Sequence, residues 1–164
     1  VMRGELSAAT RRRLDVQGFD QVDEAAVAPV APWLRLAFAL CALLGGVGTA
    51  LASPGILTVL TVIAALAALS PVHPFDLIYN LGIRHLTGTP ALPRRGAPSR
   101  FACGLGAVWL AVTIWAFRAG QQTIGYMLGG SLTAVAVLVS TTDICIPSLI
   151  YRTVFGFPRR RNGS

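Results

Sequence analysis

Six ionisable or thiol-bearing side chains stand inside or at the edges of apolar stretches, where their chemistry could serve a function. They are Arg35, His73, Asp76, Cys103, Asp143 and Cys145. An ionisable group in an apolar stretch indicates a functional site, because keeping it away from water costs free energy. Asp143, between VAVLVSTT and ICIP, is the clearest case, and Arg35 or His73 is its expected partner. Alternatively, Asp143 only caps the following helix or pairs with an arginine.

His73 is the one candidate cofactor residue, because imidazole is the usual axial ligand of a metal, a haem or a chlorin. It precedes Pro74, however, and this position is also typical of a turn residue whose ring lies in water. No second histidine stands at a helical spacing that would complete a bis-histidine haem site. We therefore predict no resident cofactor, while contact with a lipid or a pigment stays open.

The three cysteines, Cys41, Cys103 and Cys145, lie far apart and show neither a CxxC motif nor a metal-binding spacing. Each lies in or beside an apolar stretch, where cysteine usually behaves as a small hydrophobic residue. Cys103 and Cys145 could meet across two helices as a redox pair, although neither has the basic or CxxC surroundings that favour a thiolate. We expect inert packing and keep thiol redox chemistry as the alternative.

These residues lie at the ends of four apolar stretches, each about long enough to cross a bilayer. Hydrophobic residues make up 54% of the chain and charged residues 13%, a balance typical of membrane proteins. The expected spans are 33–52, 55–72, 101–117 and 124–142. Short turns join the first two spans and the last two, which predicts two antiparallel hairpins. The sequence therefore predicts an all-α integral membrane domain over residues 31–157.

A basic connector, residues 73–100, separates the two predicted hairpins. Its first half, FDLIYNLGIRHL, has one apolar and one polar side, which is typical of a helix lying in the membrane interface. Gly88 and three prolines make its second half an irregular connector. We therefore expect a short interfacial amphipathic helix between the hairpins.

The distribution of charge predicts the orientation in the membrane. All 14 cationic residues are arginines, and thirteen of them lie in the polar leader (residues 1–30), the connector, the basic tail (residues 158–164) or at helix ends on the same side. Arg118 alone lies in a hairpin turn. By the positive-inside rule, both termini are expected in the cytoplasm of a bacterium, with the domain in its inner membrane. The polar leader predicts no signal peptide.

The arginines also predict binding partners. Because they flank apolar stretches instead of an aromatic surface, we expect anionic lipids and other integral membrane subunits as partners, and no nucleic acid. The leader and tail are too polar to pack on an apolar domain, so a partner or a lipid is expected to hold them. The candidate residues are Arg11, Arg12, Arg13, Arg35, Arg84, Arg94, Arg95, Arg159, Arg160 and Arg161.

Three segments carry a family resemblance: HPFDLIYNLGIRHLTGTP, CGLGAVW and DICIPSLIY. They resemble a bacterial family of small four-span membrane proteins, the domain of unknown function DUF4395. The resemblance covers roughly residues 20–156 and implies a four-helix membrane fold without implying a reaction. Many members of the family end the fourth span with a cysteine pair, whereas this chain has only Cys145 there.

Three functions are compatible with these patterns. The first is a non-enzymatic accessory subunit that packs its small-residue faces against a larger respiratory or photosynthetic membrane complex. The second is a redox or sulfur-handling component that uses Cys103 and Cys145. The third, a small-solute transporter, is disfavoured because the spans show no buried charge pair, no broken helix near the midplane and no convincing inverted repeat.

Overall fold

The computed structural model describes residues 7–19 and 24–156, and every regular element within these ranges is helical. This confirms the predicted all-α class for the described part of the chain. The α-helices are α1 (Ala8–Leu14), α2 (Glu24–Val27), α3 (Leu36–Ala50), α4 (Pro54–Leu69), α5 (Pro74–Ile78), α6 (Arg84–Thr87), α7 (Ala97–Arg118), α8 (Gln122–Thr142) and α9 (Ile146–Phe155). A kinked turn, Asp15–Phe19, follows α1, with Gly18 outside helical geometry, and a wider π-helical turn, Tyr79–Ile83, joins α5 to α6.

Three of the described helical segments are individually long and apolar enough to cross a membrane. They are Trp33–Ala50, which contains α3, and the helices α7 and α8. Helix α4 has 16 residues, which rise only about 24 Å along the axis. It passes the same test only together with the segment Pro74–Thr87, from which it is bent by 88°. The described residues therefore contain three or four candidate spans. The uncertain one is the expected span 55–72, which α4 covers only in part.

The four long helices form a ring in which α3 and α7 each pack against both α4 and α8. The contacts between α3 and α8 run in opposite chain directions, since Gly45 lies against Thr133 and Thr49 lies against Gly129. Leu57 and Leu60 of α4 lie against Gly48 and Gly45 of α3 in the same opposed order. Neighbouring helices at these two interfaces are therefore antiparallel.

The two ends of this ring differ in polarity. One end holds the short turns after α3 and α7. At the other end, which we call the basic end, the first turns of α3 and α7 meet the last turns of α8 and α4. There Arg100 donates from Nε to the carbonyl of Ala68 and from Nη2 to that of Leu69, each at 3.0 Å. These bonds satisfy carbonyls that the end of α4 would otherwise leave unpaired.

The described part of the leader is folded onto the basic end by the chain's own residues. Leu14 and Phe19 are 1% and 0% exposed, and they belong to one core cluster. The other members of this cluster are Val27, Val30, Leu34, Tyr79 and Leu92. The expectation that the whole leader is too polar to pack on this chain is therefore wrong for residues 7–19. Residues 1–6 and the tail with Arg159, Arg160 and Arg161 lie outside the described residues.

The first half of the connector carries the predicted two-sided pattern. Its apolar side chains Leu77, Ile78, Leu81 and Leu86 are exposed, as expected for a helix that rests on lipid. Its polar side faces the protein, where the Asn80 side chain accepts a hydrogen bond of 2.9 Å from the backbone N–H of Leu92. The connector is thereby attached to the basic end by its polar face.

Candidate functional site

A largely apolar cavity of about 320 Å³ lies in the half of the bundle nearest the basic end. Its wall combines residues of α3, α4, α7, α8 and α9 with His73. The lining residues that are also exposed belong to α7, α8 and α9, and they include Leu105, Trp109, Ser131, Ile146 and Ile150. The cavity therefore opens sideways between α7 and α8, next to α9. Its volume is in the range of small-molecule sites, about 300–1,000 Å³.

All three cysteines lie on the wall of this cavity. Cys41 comes from α3, Cys103 from α7 and Cys145 from the residue before α9, and all three are free thiols. Cys103 lies within electrostatic range of both other thiols. Burial raises the pKa of Cys145, although its contacts with Ser148 act in the opposite direction, so this thiol is protonated at neutral pH. The structure thus adds Cys41 to the predicted pair.

His73 faces the cavity as a neutral donor. Its Nδ1 accepts a hydrogen bond of 3.2 Å from the backbone N–H of Phe75 and so caps the start of α5. Burial, followed by the charge of Arg95, lowers the pKa of His73 to about 4. A neutral imidazole whose Nδ1 accepts carries its proton on Nε2. Metal or haem ligation needs a lone pair at that nitrogen, so this tautomer does not favour the predicted ligand role, which stays a prediction.

Behind the cavity, Arg95 and Asp76 form a buried ion pair whose side chains are 2% and 4% exposed. Arg95 donates from Nε and Nη2 to the two carboxylate oxygens at 2.7 and 2.8 Å. It also lies 5.2 Å from the ring centroid of Phe38. Burial lowers the pKa of Arg95, but the hydrogen bond and charge of Asp76 outweigh this and the net shift is upward. Arg95 faces the interior here, whereas the sequence predicted contact with lipid or a partner.

Asp143 pairs with Arg35, one of the two partners that the sequence predicted. Arg35 donates from Nε to Oδ1 at 2.9 Å and from Nη2 to Oδ2. Asp143 adopts a left-handed conformation, with a φ of 58°, at the end of α8. Gln17 and Arg13 of the leader donate to the carbonyls of Asp143 and Thr142, each at 2.8 Å. Asp143 thus pairs with an arginine, as the alternative predicted, but it ends α8 instead of capping the following helix, whose N-cap is Cys145.

The predicted polar cluster is therefore divided between three places. His73, Cys103 and Cys145 line the cavity, Asp76 lies behind it with Arg95, and Asp143 ends α8. Within residues 7–19 and 24–156, no group of three or more His, Cys, Asp or Glu side chains is arranged to hold a metal ion. The three thiols share a cavity wall but are not arranged to hold a metal ion together.

A family model for the domain of unknown function DUF4395 matches residues 29–155, most of the chain. The chain belongs to the DUF4395 family. Neither a curated protein nor a solved structure matches it. Every residue that lines the cavity of this DUF4395 protein lies between Phe38 and Ile150, inside the family segment. The cavity therefore lies within the family segment, whereas helix α1 precedes it.

The remaining candidate arginines of the DUF4395 chain differ in exposure. Arg12 and Arg94 are exposed, while Arg84 is half-buried. Arg11 forms an ion pair of 3.1 Å with Asp15. Their binding of lipid or a partner stays a prediction, for which Arg12 and Arg94 are the best-placed residues.

Proposed function

We propose that this protein spans the bacterial inner membrane four times and binds an apolar molecule that enters its cavity from the bilayer. The observation that carries the proposal is the cavity itself, which is lined mostly by apolar side chains and opens sideways between α7 and α8. If α7 and α8 cross the membrane, this opening faces hydrocarbon. A lipid-soluble molecule could then enter without crossing water.

The four-span arrangement is supported by the position of α4 within the ring. Although α4 is short, it packs between α3 and α7, both of which are long and apolar enough to span. Its outward residues Val59, Val62, Leu66 and Leu69 are exposed apolar side chains, which would be costly in water over such a continuous face. The bent segment after it then lies in the interface on the cytoplasmic side, together with the arginines of the basic end.

A matched pair of glycine substitutions tests the binding function. Gly106 lines the cavity and Gly130 of α8 is exposed, and a Cβ added at either position meets no atom within 4 Å. Gly106→Leu should therefore fill the cavity without disturbing helix packing, whereas Gly130→Leu adds the same side chain elsewhere. Binding of a tritiated decyl benzoquinone to the detergent-solubilised protein is measured by scintillation proximity. We expect loss of binding in Gly106→Leu alone, and equal binding by both variants would contradict the proposal.

A second function, thiol redox chemistry, is favoured by the presence of all three cysteines on one cavity wall. Two thiols, Cys103 with Cys145 or Cys41, would form a disulfide and transfer two electrons and two protons to a lipid-soluble quinone, giving the quinol. Anaerobic incubation with decyl benzoquinone, followed by peptide mass spectrometry, tests this reaction. We expect one disulfide in the wild type and none in Cys103→Ser, because Cys103 is the thiol that interacts electrostatically with both of the others. Full recovery of free thiols in the wild type would exclude the redox function.

The accessory-subunit hypothesis stays a prediction with weaker support than the sequence indicated. It drew on the expectation that an external partner holds the polar leader, whereas residues 7–19 are held by the chain's own core. Purification of the tagged protein from its native membrane in mild detergent tests it directly. Recovery of the protein without any partner at comparable amounts would contradict this hypothesis.

A further inference from the structure

We infer that the molecule bound in the cavity carries a neutral carbonyl group, which accepts a hydrogen bond from Nε2–H of His73, while its apolar chain leaves between α7 and α8. This inference rests on the proposed binding function. It adds the chemical class of the ligand and the residue that orients it.

His73 is the strong hydrogen-bond donor of the wall that lacks a protein acceptor. Other polar side chains on the wall donate to backbone carbonyls of α8: Trp109 and Ser131 to Leu128, at 3.0 and 2.8 Å, and Thr133 to Gly129, at 2.8 Å. The thiols are only weak donors. The hydrogen bond that His73 forms with the described residues is made by Nδ1, so it leaves Nε2–H free to donate. The His73 side chain is 2% exposed and lines the cavity, so the acceptor that such a donor normally has must come from a molecule inside the cavity.

The absence of charge on the wall determines that the ligand head is neutral. The wall contains no Asp, Glu, Lys or Arg side chain among the described residues. The nearby guanidinium of Arg95 lies outside the lining and is already paired with Asp76. A carboxylate or phosphate would therefore lose its hydration without gaining a counter-charge, which is strongly unfavourable. Fatty acids and phosphate-bearing head groups are thus poor candidates, whereas a quinone or an acyl ester offers the neutral carbonyl.

The size of the cavity matches a ring or an ester group and leaves no room for a long chain. A cavity of about 150 Å³ is enough to hold benzene. About 320 Å³ therefore holds a substituted ring or an ester with a few carbons. A longer chain must extend past the exposed rim residues Leu105 and Ile150. The head group is consequently deep in the protein and the chain is in contact with lipid.

Two substitutions at His73 separate its two hydrogen bonds. His73→Asn keeps an acceptor close to the position of Nδ1, and asparagine is a good helix N-cap, but it does not reach the position of Nε2. His73→Gln places an amide N–H near the position of Nε2 and loses the cap. His73→Gln should therefore lower the stability of the protein. His73→Asn should instead lose the hydrogen bond that orients the ligand.

The experiment measures binding of two tritiated carbonyl probes, decyl benzoquinone and decyl benzoate, with decylbenzene as a probe that has no carbonyl. Decyl benzoquinone stands for quinones, and decyl benzoate stands for lipid esters. We expect at least one carbonyl probe to bind the wild type about tenfold more tightly than decylbenzene does. That probe should lose about tenfold in affinity in His73→Asn and less than about twofold in His73→Gln. Which of the two binds identifies the source of the carbonyl.

The outcomes separate this inference from the proposed function. If Gly106→Leu abolishes binding while His73→Asn leaves it unchanged, the cavity binds apolar molecules and the inference about His73 is wrong. Equal affinity for decylbenzene and both carbonyl probes would also overturn the inference alone. If no probe binds the wild type, both the inference and the proposed function fail.

Discussion

Arg95 brings a positive charge into the interior, where a single carboxylate, that of Asp76, neutralises it. Removing one partner of a buried ion pair leaves an uncompensated charge and typically costs about 3–5 kcal/mol. We therefore expect Asp76→Asn to lower stability by about that amount. The double variant Asp76→Leu with Arg95→Met, which removes both charges, should lose less. Thermal unfolding in detergent, followed by tryptophan fluorescence, measures both, and equal losses would show that the charge is not the cause.

The buried His73 makes the stability of the folded protein depend on pH. Its pKa falls from 6.5 to about 4 on folding, so the unfolded chain binds more protons between these pH values. The stabilisation is therefore complete above pH 6.5 and is lost as the pH falls towards 4, by up to about 3 kcal/mol. His73→Gln should show a smaller loss between pH 7.5 and 4.5, measured by thermal unfolding. The carboxylates are common to both proteins, so an identical acid dependence would exclude His73 as its source.

At the scale of helices, the sequence predicts the long apolar helices because each apolar stretch is about long enough to cross a bilayer. It could not predict the fold of the leader, since Leu14 and Phe19 gain a partner surface only after residues 27–34 and the connector have come together. The contact also depends on Gly18, whose φ of 100° suits glycine. A Cβ at Gly18 would lie 2.8 Å from the Cα of Gly96. Because these two glycines are far apart in the sequence, no local sequence pattern indicates their contact.

Two adjacent glycines of α8 test how closely the helices pack. A Cβ at Gly129 would overlap the side chain of Thr49 on α3, whereas a Cβ at Gly130 meets no atom within 4 Å. Gly129→Ala should therefore separate α3 from α8 and cost about 1–3 kcal/mol. Gly130→Ala should be neutral or stabilise the helix by up to about 1 kcal/mol. Both are measured as thermal midpoints in detergent, and equal midpoints would contradict the close approach of α3 and α8.

At the scale of the whole molecule, the cavity follows from positions that the sequence contained but that no motif marked. In an antiparallel ring, residues near the start of α3 and α7 lie at the same level as residues near the end of α8. Cys41, Cys103 and Cys145 all occupy such positions. The predicted spans therefore already place the three cysteines at a common depth in the membrane. The sequence does not predict which face of each helix turns inward, because apolar residues surround each span and small residues alone decide the packing.

The orientation of the whole molecule is the remaining prediction, and it rests on the excess of arginine at the basic end. In a background with all three native cysteines changed to serine, single cysteines are placed at Gly55 and Gln121, which are exposed near the two hairpin turns, and at Arg94 in the connector. We expect a membrane-impermeant thiol reagent to label positions 55 and 121 in intact inner-membrane spheroplasts. Position 94 should be labelled only after the membrane is permeabilised.

Each outcome of this labelling separates one part of the topology. Labelling at position 94 alone would reverse the orientation while keeping the four spans. Labelling at position 121 without position 55 would show that α4, the shortest of the four helices, does not bring its first turn to the periplasmic surface. Labelling at both turns, with position 94 protected, requires the chain to cross the membrane between residues 55 and 94. Helix α4, about 24 Å long, then crosses either together with the bent segment Pro74–Thr87 or alone through a thinner bilayer.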